Sequence, residues 1–111
     1  MTQQAAKKSR RAVLEEFLAT HPKDAFARYG LAMECATQGD SPAAIENFES
    51  LLAENPSYVA GYFQYGQLLA RLSRTEDARR TLIKGIEAAR RAGDQHASSE
   101  MEAALAQLPP A

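Results

Sequence analysis

Residues 25–58 read AFARYGLAMECATQGDSPAAIENFESLLAENPSY, and residues 59–92 read VAGYFQYGQLLARLSRTEDARRTLIKGIEAARRA. Aligned 34 residues apart, with the flanking Pro22 falling on Pro56, they place Leu31 on Tyr65, Ala32 on Gly66, Cys35 on Leu69 and Ala36 on Ala70. The match continues with Ser41 on Thr75, Ala44 on Ala78, Phe48 on Leu82 and Leu52 on Ile86. Of these pairs only Pro22/Pro56, Ala36/Ala70 and Ala44/Ala78 are identical, so what recurs is side-chain size and polarity at chosen places. A packing constraint leaves that mark, and self-similarity at a fixed period identifies a repeat architecture.

Within and around the two stretches, breakers fall at His21-Pro22, Gly39-Asp40-Ser41-Pro42, Asn55-Pro56-Ser57, Ser73-Arg74-Thr75 and Gly93-Asp94. Between them apolar residues recur at three- and four-residue steps, as in Val13, Leu14, Phe17 and Leu18, or Tyr62, Tyr65, Leu69 and Leu72. No segment alternates with period two, and 22 alanines and 11 leucines outweigh ten Val, Ile and Thr together. The spacing predicts an all-α chain of six helices. Ser41 ahead of Pro42, and Thr75 ahead of Glu76 and Asp77, are expected as helix caps. Gly39 and Gly93 are expected to end helices in the left-handed conformation.

Two antiparallel helices approach closely only where small residues sit at the crossing. Ala32 and Gly66 on one helix, with Ala44 and Ala78 on its mate, supply them. Leu31/Tyr65 and Phe48/Leu82 then fill the flanking space, and each hairpin leaves an apolar face open until a neighbour stacks on it.

These residues resemble the tetratricopeptide repeat family, whose pattern has a large and then a small residue in the first helix, an alanine and a large residue in the second, and a closing proline. Residues 25–58 offer Leu31-Ala32, Ala44, Phe48 and Pro56; residues 59–92 offer Tyr65-Gly66, Ala78 and Leu82. Arg28 stands where the family often has tryptophan, with Tyr62 a closer substitute, and Arg90 replaces the closing proline, so the last helix of the second repeat is expected to run on toward Gly93. The resemblance implies a right-handed α-α superhelix. The expected organisation is a single domain over 1–111, with a half-repeat helix at 5–20, repeats at 25–58 and 59–92, and a capping helix at 95–107.

The 13 basic and 14 acidic residues nearly cancel, leaving no global field to steer the chain onto nucleic acid or an anionic membrane. Basic residues do cluster at Lys7, Lys8, Arg10 and Arg11 and along 79–91, while residues 29–70 carry five acids and no Lys or Arg. Aromatic residues do not interleave with either basic group as single-strand binding requires. No apolar run reaches the ~20 residues of a membrane span, and Glu15-Glu16 interrupts any signal-peptide core, so a cytosolic address is expected. Cys35 shares an inward stripe with Leu69 and reads as core; His21 and His96 lie beside helix ends and read as solvated. With no nucleophile–base pairing, no phosphate-cradling glycine motif and no Cys/His cluster at zinc spacing, neither an enzyme, nor a cofactor, nor a metal is expected.

What the resemblance implies instead is protein–protein interaction. In the family, the first helix of each repeat lines a concave groove that takes a partner peptide or helix. Carried over by register, the groove-facing set is Phe26, Tyr29, Gly30, Met33 and Thr37, then Ala60, Phe63, Gln64, Gln67 and Arg71. Phe26, Tyr29, Met33, Phe63, Gln64, Gln67 and Arg71 are the partner-binding candidates. The apolar members either line an exposed surface or are covered as core by flanking helices. The places where carboxylate-clamping relatives carry lysine and asparagine hold Tyr29, Met33 and Gln64, which points to an apolar or mixed guest. The alternative is assembly of copies of the chain, as a homodimer or larger, through the same surfaces.

Overall fold

The computed structural model describes residues 8–110. They form six α-helices: α1 (Arg10–Thr20), α2 (Ala25–Thr37), α3 (Ser41–Glu54), α4 (Val59–Arg71), α5 (Thr75–Ala92) and α6 (Gln95–Ala106). No strand occurs among the described residues. The chain divides between Glu49 and Ser50, inside α3, into two compact units.

Helix ends follow the local chemistry, with three revisions to the sequence expectation. The helix expected over 5–20 begins at Arg10, because the Ser9 hydroxyl accepts the Ala12 N–H at 3.0 Å and caps it there; residues 5–7 and Lys7 lie outside the described residues. At α3 the cap is Asp40 and not Ser41. Its Oδ1 accepts the Ala43 N–H at 3.3 Å, and its carbonyl accepts from Ala44. The carboxylate reaches back over the first turn from one residue further out, which places Ser41 inside the helix. Thr75 likewise is the first helical residue of α5, behind Arg74, whose guanidinium donates to the Asp77 carboxylate at 2.7 Å, while Glu76 and Asp77 occupy the first turn as expected.

Gly39 (φ 81°) and Gly93 (φ 72°) take left-handed conformations. So does Ser73 (φ 62°), one repeat after Gly39 and the one non-glycine to do so among the described residues. At all three the following amide reaches back over the helix end: Asp40 to Cys35, Arg74 to Leu69 and Asp94 to Ala89, at 2.8–2.9 Å. These bonds satisfy carbonyls that the helix leaves free. With Arg90 in place of proline, α5 runs to Ala92.

In the first unit α1 packs against α2, and Leu18, Leu31, Ala32, Cys35, Ala44 and Phe48 are buried. Arg28, at the tryptophan place, bridges elements. Its Nη2 donates to the Pro22 carbonyl and its Nη1 to Asn47 Oδ1, each at 3.1 Å. Arg11 on α1 donates to Gln38 Oε1 at 3.2 Å and to Asp40 Oδ2 at 2.9 Å.

In the second unit α4 packs on α5 and on α6, and α5 packs on α6. The core gathers Tyr62, Leu82, Ile86, Ala88, Ala89 and Met101. Glycines set the approach distances. A methyl group at Gly66 would come within 2.6 Å of Leu82 Cδ2, and one at Gly85 within 2.5 Å of both Tyr62 Cβ and Met101 Sδ. Gly66 was legible as the small residue at a crossing; Gly85 was not.

Candidate functional site

The candidate residues lie on α2 and α4. On α2, started by Asp24 accepting the Ala27 N–H at 2.9 Å, the face is graded. Phe26 is 76% exposed, Tyr29, Gly30 and Met33 are half-buried, and Thr37 is exposed. Burial pushes the Tyr29 phenol above its ordinary pKa, because the protein shields the phenolate from water.

Phe26 lies in a cleft of about 330 Å³ between α1 and α2, with Arg10, Val13, Leu14, Phe17 and Gly30 among its lining. Tyr29 and Met33 do not line it. Val13 and Phe17, apolar residues recurring at helical steps, are 51% and 40% exposed. Phe17 stacks its ring on His21, centroids 4.3 Å apart and planes 7° from parallel.

On α4, Ala60 and Arg71 are exposed and Phe63, Gln64 and Gln67 half-buried. Phe63 packs against the core cluster, so its ring contributes both to packing and to surface. Gln67 and Arg71 converge on a second cleft, of about 380 Å³, whose floor is Gly66, Leu82, Ala104 and Leu108. Gln107 and Pro109 complete it. Arg79 fixes that edge by donating from Nη2 to the Pro109 carbonyl at 2.8 Å. Gln107, Leu108 and Pro109 were absent from the sequence-derived candidates. The one signal for them was the Leu-Pro-Pro that ends the last helix.

This cleft offers a partner an apolar floor, a guanidinium and a side-chain amide. No group on it is placed for proton transfer or nucleophilic attack. Cys35 is fully buried, and desolvation raises its thiol pKa away from the reactive thiolate. Among the described residues no three His, Cys, Asp or Glu side chains gather where they could hold a metal ion, and no helix is long and apolar enough to cross a membrane.

Basic groups are largely paired with acids. Arg10 lies 3.4 Å from Glu34, Arg11 contacts Glu15 at 3.2 Å and Asp40 at 2.9 Å, Arg74 and Arg80 share Asp77, and Arg90 meets Glu102. The Arg11 guanidinium, with the Ala43 amide, holds the Asp40 carboxyl below the ordinary carboxylate range.

Tandem helical hairpins with small residues at their crossings and a cleft beside the first helix define a helical-repeat protein. The sequence profile of the tetratricopeptide repeat matches residues 36–108. The chain belongs to the tetratricopeptide repeat family. It is similar to a TPR repeat-containing protein of Pseudomonas aeruginosa, 30% identical over 95 residues that cover 86% of this chain and 90% of that one. Among solved structures, it resembles the solution structure of a tetratricopeptide repeat domain protein from Salinibacter ruber, with a TM-score of 0.74 and 41% identity over 78% of this chain and 87% of the other. The solution structure of a Bordetella parapertussis protein shares the fold, with a TM-score of 0.78 at 24% identity over 91% of this chain and 88% of the other.

Proposed function

We propose that this chain is a protein-interaction module that captures a segment of another protein on the first-helix faces of its repeats and performs no chemistry of its own. Repeats of this family are protein-interaction modules in general, which supports the class. The observation that carries the particular reading is the cleft on α4. There Gln67 and Arg71 stand over the apolar floor of Gly66, Leu82, Ala104 and Leu108. Apolar side chains of the guest bury against the floor, and the amide and guanidinium hydrogen-bond its backbone or a carboxylate. Phe63 and Gln64 extend this surface along α4, and Phe26, Tyr29 and Met33 form the corresponding surface of α2.

The guest is a protein and not a nucleic acid, a reading supported by the pairing of Arg10, Arg11, Arg74, Arg80 and Arg90 with carboxylates. The buried, unpaired Cys35 fits a reducing compartment such as the cytosol.

Affinity capture followed by mass spectrometry identifies partners, and each purified partner is then titrated against wild type and the double variant Gln67→Ala, Arg71→Glu. Arg71 is exposed and Gln67 only half-buried, so the variant is expected to melt like wild type while losing affinity at least about tenfold. Equal affinity would remove α4 from the site.

A further inference from the structure

Three helices close on a left-handed residue, α2 at Gly39, α4 at Ser73 and α5 at Gly93, and in each the following amide reaches back five residues at 2.8–2.9 Å. Helix α6 ends without such a residue. The amides of Gln107 and Leu108 donate only to carbonyls three residues back, both at 3.2 Å, and Pro109 and Pro110 carry no amide to donate. Proline at 109 also turns Leu108 away from the helical conformation. Beyond Leu108, therefore, no main-chain donor holds the chain to α6.

Two contacts hold it instead. Leu108, half-buried, packs on the core cluster that contains Leu82 and Met101. The Pro109 carbonyl accepts from Arg79 Nη2 of α5 at 2.8 Å. The rest of that guanidinium is weakly engaged: its Nε is buried with no hydrogen-bond partner among the described residues, 3.5 Å from the Glu76 carboxylate. Both contacts fall on the cleft of about 380 Å³, where Gln107, Leu108 and Pro109 make one side and Gln67 and Arg71 of α4 another.

We propose that Gln107–Pro110 is a strap on the α4 cleft that swings out about Gln107 and Leu108 to admit the guest. The inference rests on the α4 cleft being the guest's seat. Closed, the strap lays Leu108 beside Leu82, on the floor that a guest's apolar side chain would cover, and gives Arg79 its acceptor. Open, it bares Leu82 and leaves the Arg79 guanidinium to donate to a carbonyl of the guest in place of Pro109's. Two adjacent prolines, each with φ fixed at about −65°, make the segment move as a stiff piece. A guest that binds the open state alone loses apparent affinity in proportion to the closed population. The Arg79–Pro109 bond thus sets how tightly the guest is held, and losing one net hydrogen bond raises the open-to-closed ratio roughly two- to tenfold.

The latch is loosened from both sides in the full ¹⁵N-labelled chain. Arg79→Ala removes the donor, and Pro109→Gly, at an exposed site, frees the strap's backbone while leaving Arg79 in place. Arg79→Lys restores a cationic donor. Heteronuclear NOEs at Gln107 and Leu108 are expected to fall in Arg79→Ala and Pro109→Gly and to return toward wild type in Arg79→Lys, with the Met101 amide unchanged throughout. The probe of the floor is 1-anilinonaphthalene-8-sulfonate, an apolar anion. In both loosened variants its emission should rise at least about twofold, with saturable shifts at the Gly66, Gln67 and Arg71 amides. A partner recovered by affinity capture should bind both variants roughly two- to tenfold more tightly.

Unchanged NOEs at Gln107 and Leu108 would overturn the inference. So would a loss of order that spreads to Met101 with a lower melting temperature, which makes the Arg79–Pro109 bond part of α6 packing. So would a loosened strap with neither more dye uptake nor tighter partner binding. Failure of the α4 reading is a separate result: equal partner affinity in wild type and in Gln67→Ala, Arg71→Glu, while the loosened variants still take up the dye.

Discussion

The hydroxyl of Tyr62 donates to the carbonyl oxygen of Pro56 over 2.7 Å. The same tie occurs one repeat earlier with different chemistry, Arg28 donating to the carbonyl of Pro22 at 3.1 Å. In both repeats the side chain at the fourth position of the first helix fastens the turn that precedes it. Tyr62→Phe keeps the buried ring and loses only the bond. A net hydrogen bond contributes about 0.5–1.5 kcal/mol, so the expected change is a small drop in urea midpoint with unchanged slope. No drop would show that water replaces the bond without cost.

Two helical glycines are expected to respond oppositely to the same substitution. At Gly66 a methyl group meets Leu82 at 2.6 Å, whereas at Gly30 the nearest atoms are Leu14 methyls at 3.7 Å, an ordinary contact. Gly30→Ala gains roughly 0.5–1 kcal/mol of helix propensity and should raise the melting temperature. Gly66→Ala has the same gain set against an overpacking cost of about 1–3 kcal/mol and should lower it. Gly66→Glu adds a carboxylate to a buried crossing and should melt lower still. A wild-type-like curve for Gly66→Glu would contradict the packing of α4 on α5.

Ser73 holds φ at 62° where the preceding repeat has Gly39 at 81°. A side chain in the left-handed region costs roughly 1–2 kcal/mol, and glycine gives back part of that in unfolded-state entropy. Ser73→Gly is therefore expected to stabilise by about 0.5–1 kcal/mol, and Gly39→Ser to destabilise by a similar amount. Thermal melts of the two single variants decide it.

Acid sensitivity should have a component at Asp40. Arg11 first, and the Ala43 amide second, hold its carboxyl below the ordinary value, which is about 3.9 in unfolded chains. A depressed folded-state pKa gives stability that is fully present above the unfolded value and lost as pH falls through the folded one. Asp40→Asn keeps an oxygen for the α3 cap but does not titrate. Its urea midpoint should start below wild type at neutral pH, and the gap should narrow as pH falls below the ordinary carboxylate range. A constant gap would show that Asp40 acts as a cap alone.

The order and type of all six helices, the ending of α5 at Gly93, the core place of Cys35 and the small residue at Gly66 were legible in the sequence. Each depends on interactions a few residues apart or on a pattern repeated once per hairpin. The caps were misread by one residue at Asp40/Ser41 because adjacent oxygen-bearing side chains both suit a cap in composition, and only backbone geometry chooses between them. Gly85 was missed because its counterpart one repeat earlier is Leu51, so no period marks it. The Gln67–Arg71 cleft is only partly legible in the sequence, since Gln107, Leu108 and Pro109 reach it by the return of a chain end roughly 40 residues away.

By itself the sequence determined that this chain must be a stack of helical hairpins, because side-chain volume recurring every 34 residues has no other economical cause. Tertiary structure decided which apolar side chains ended up outside. Val13 and Phe17 recur at helical steps with Leu14 and the buried Leu18, yet they are exposed because no described helix packs over them. Periodicity reports which face of a helix is apolar, but whether that face is covered depends on what lies across from it, and only the packed chain contains that information.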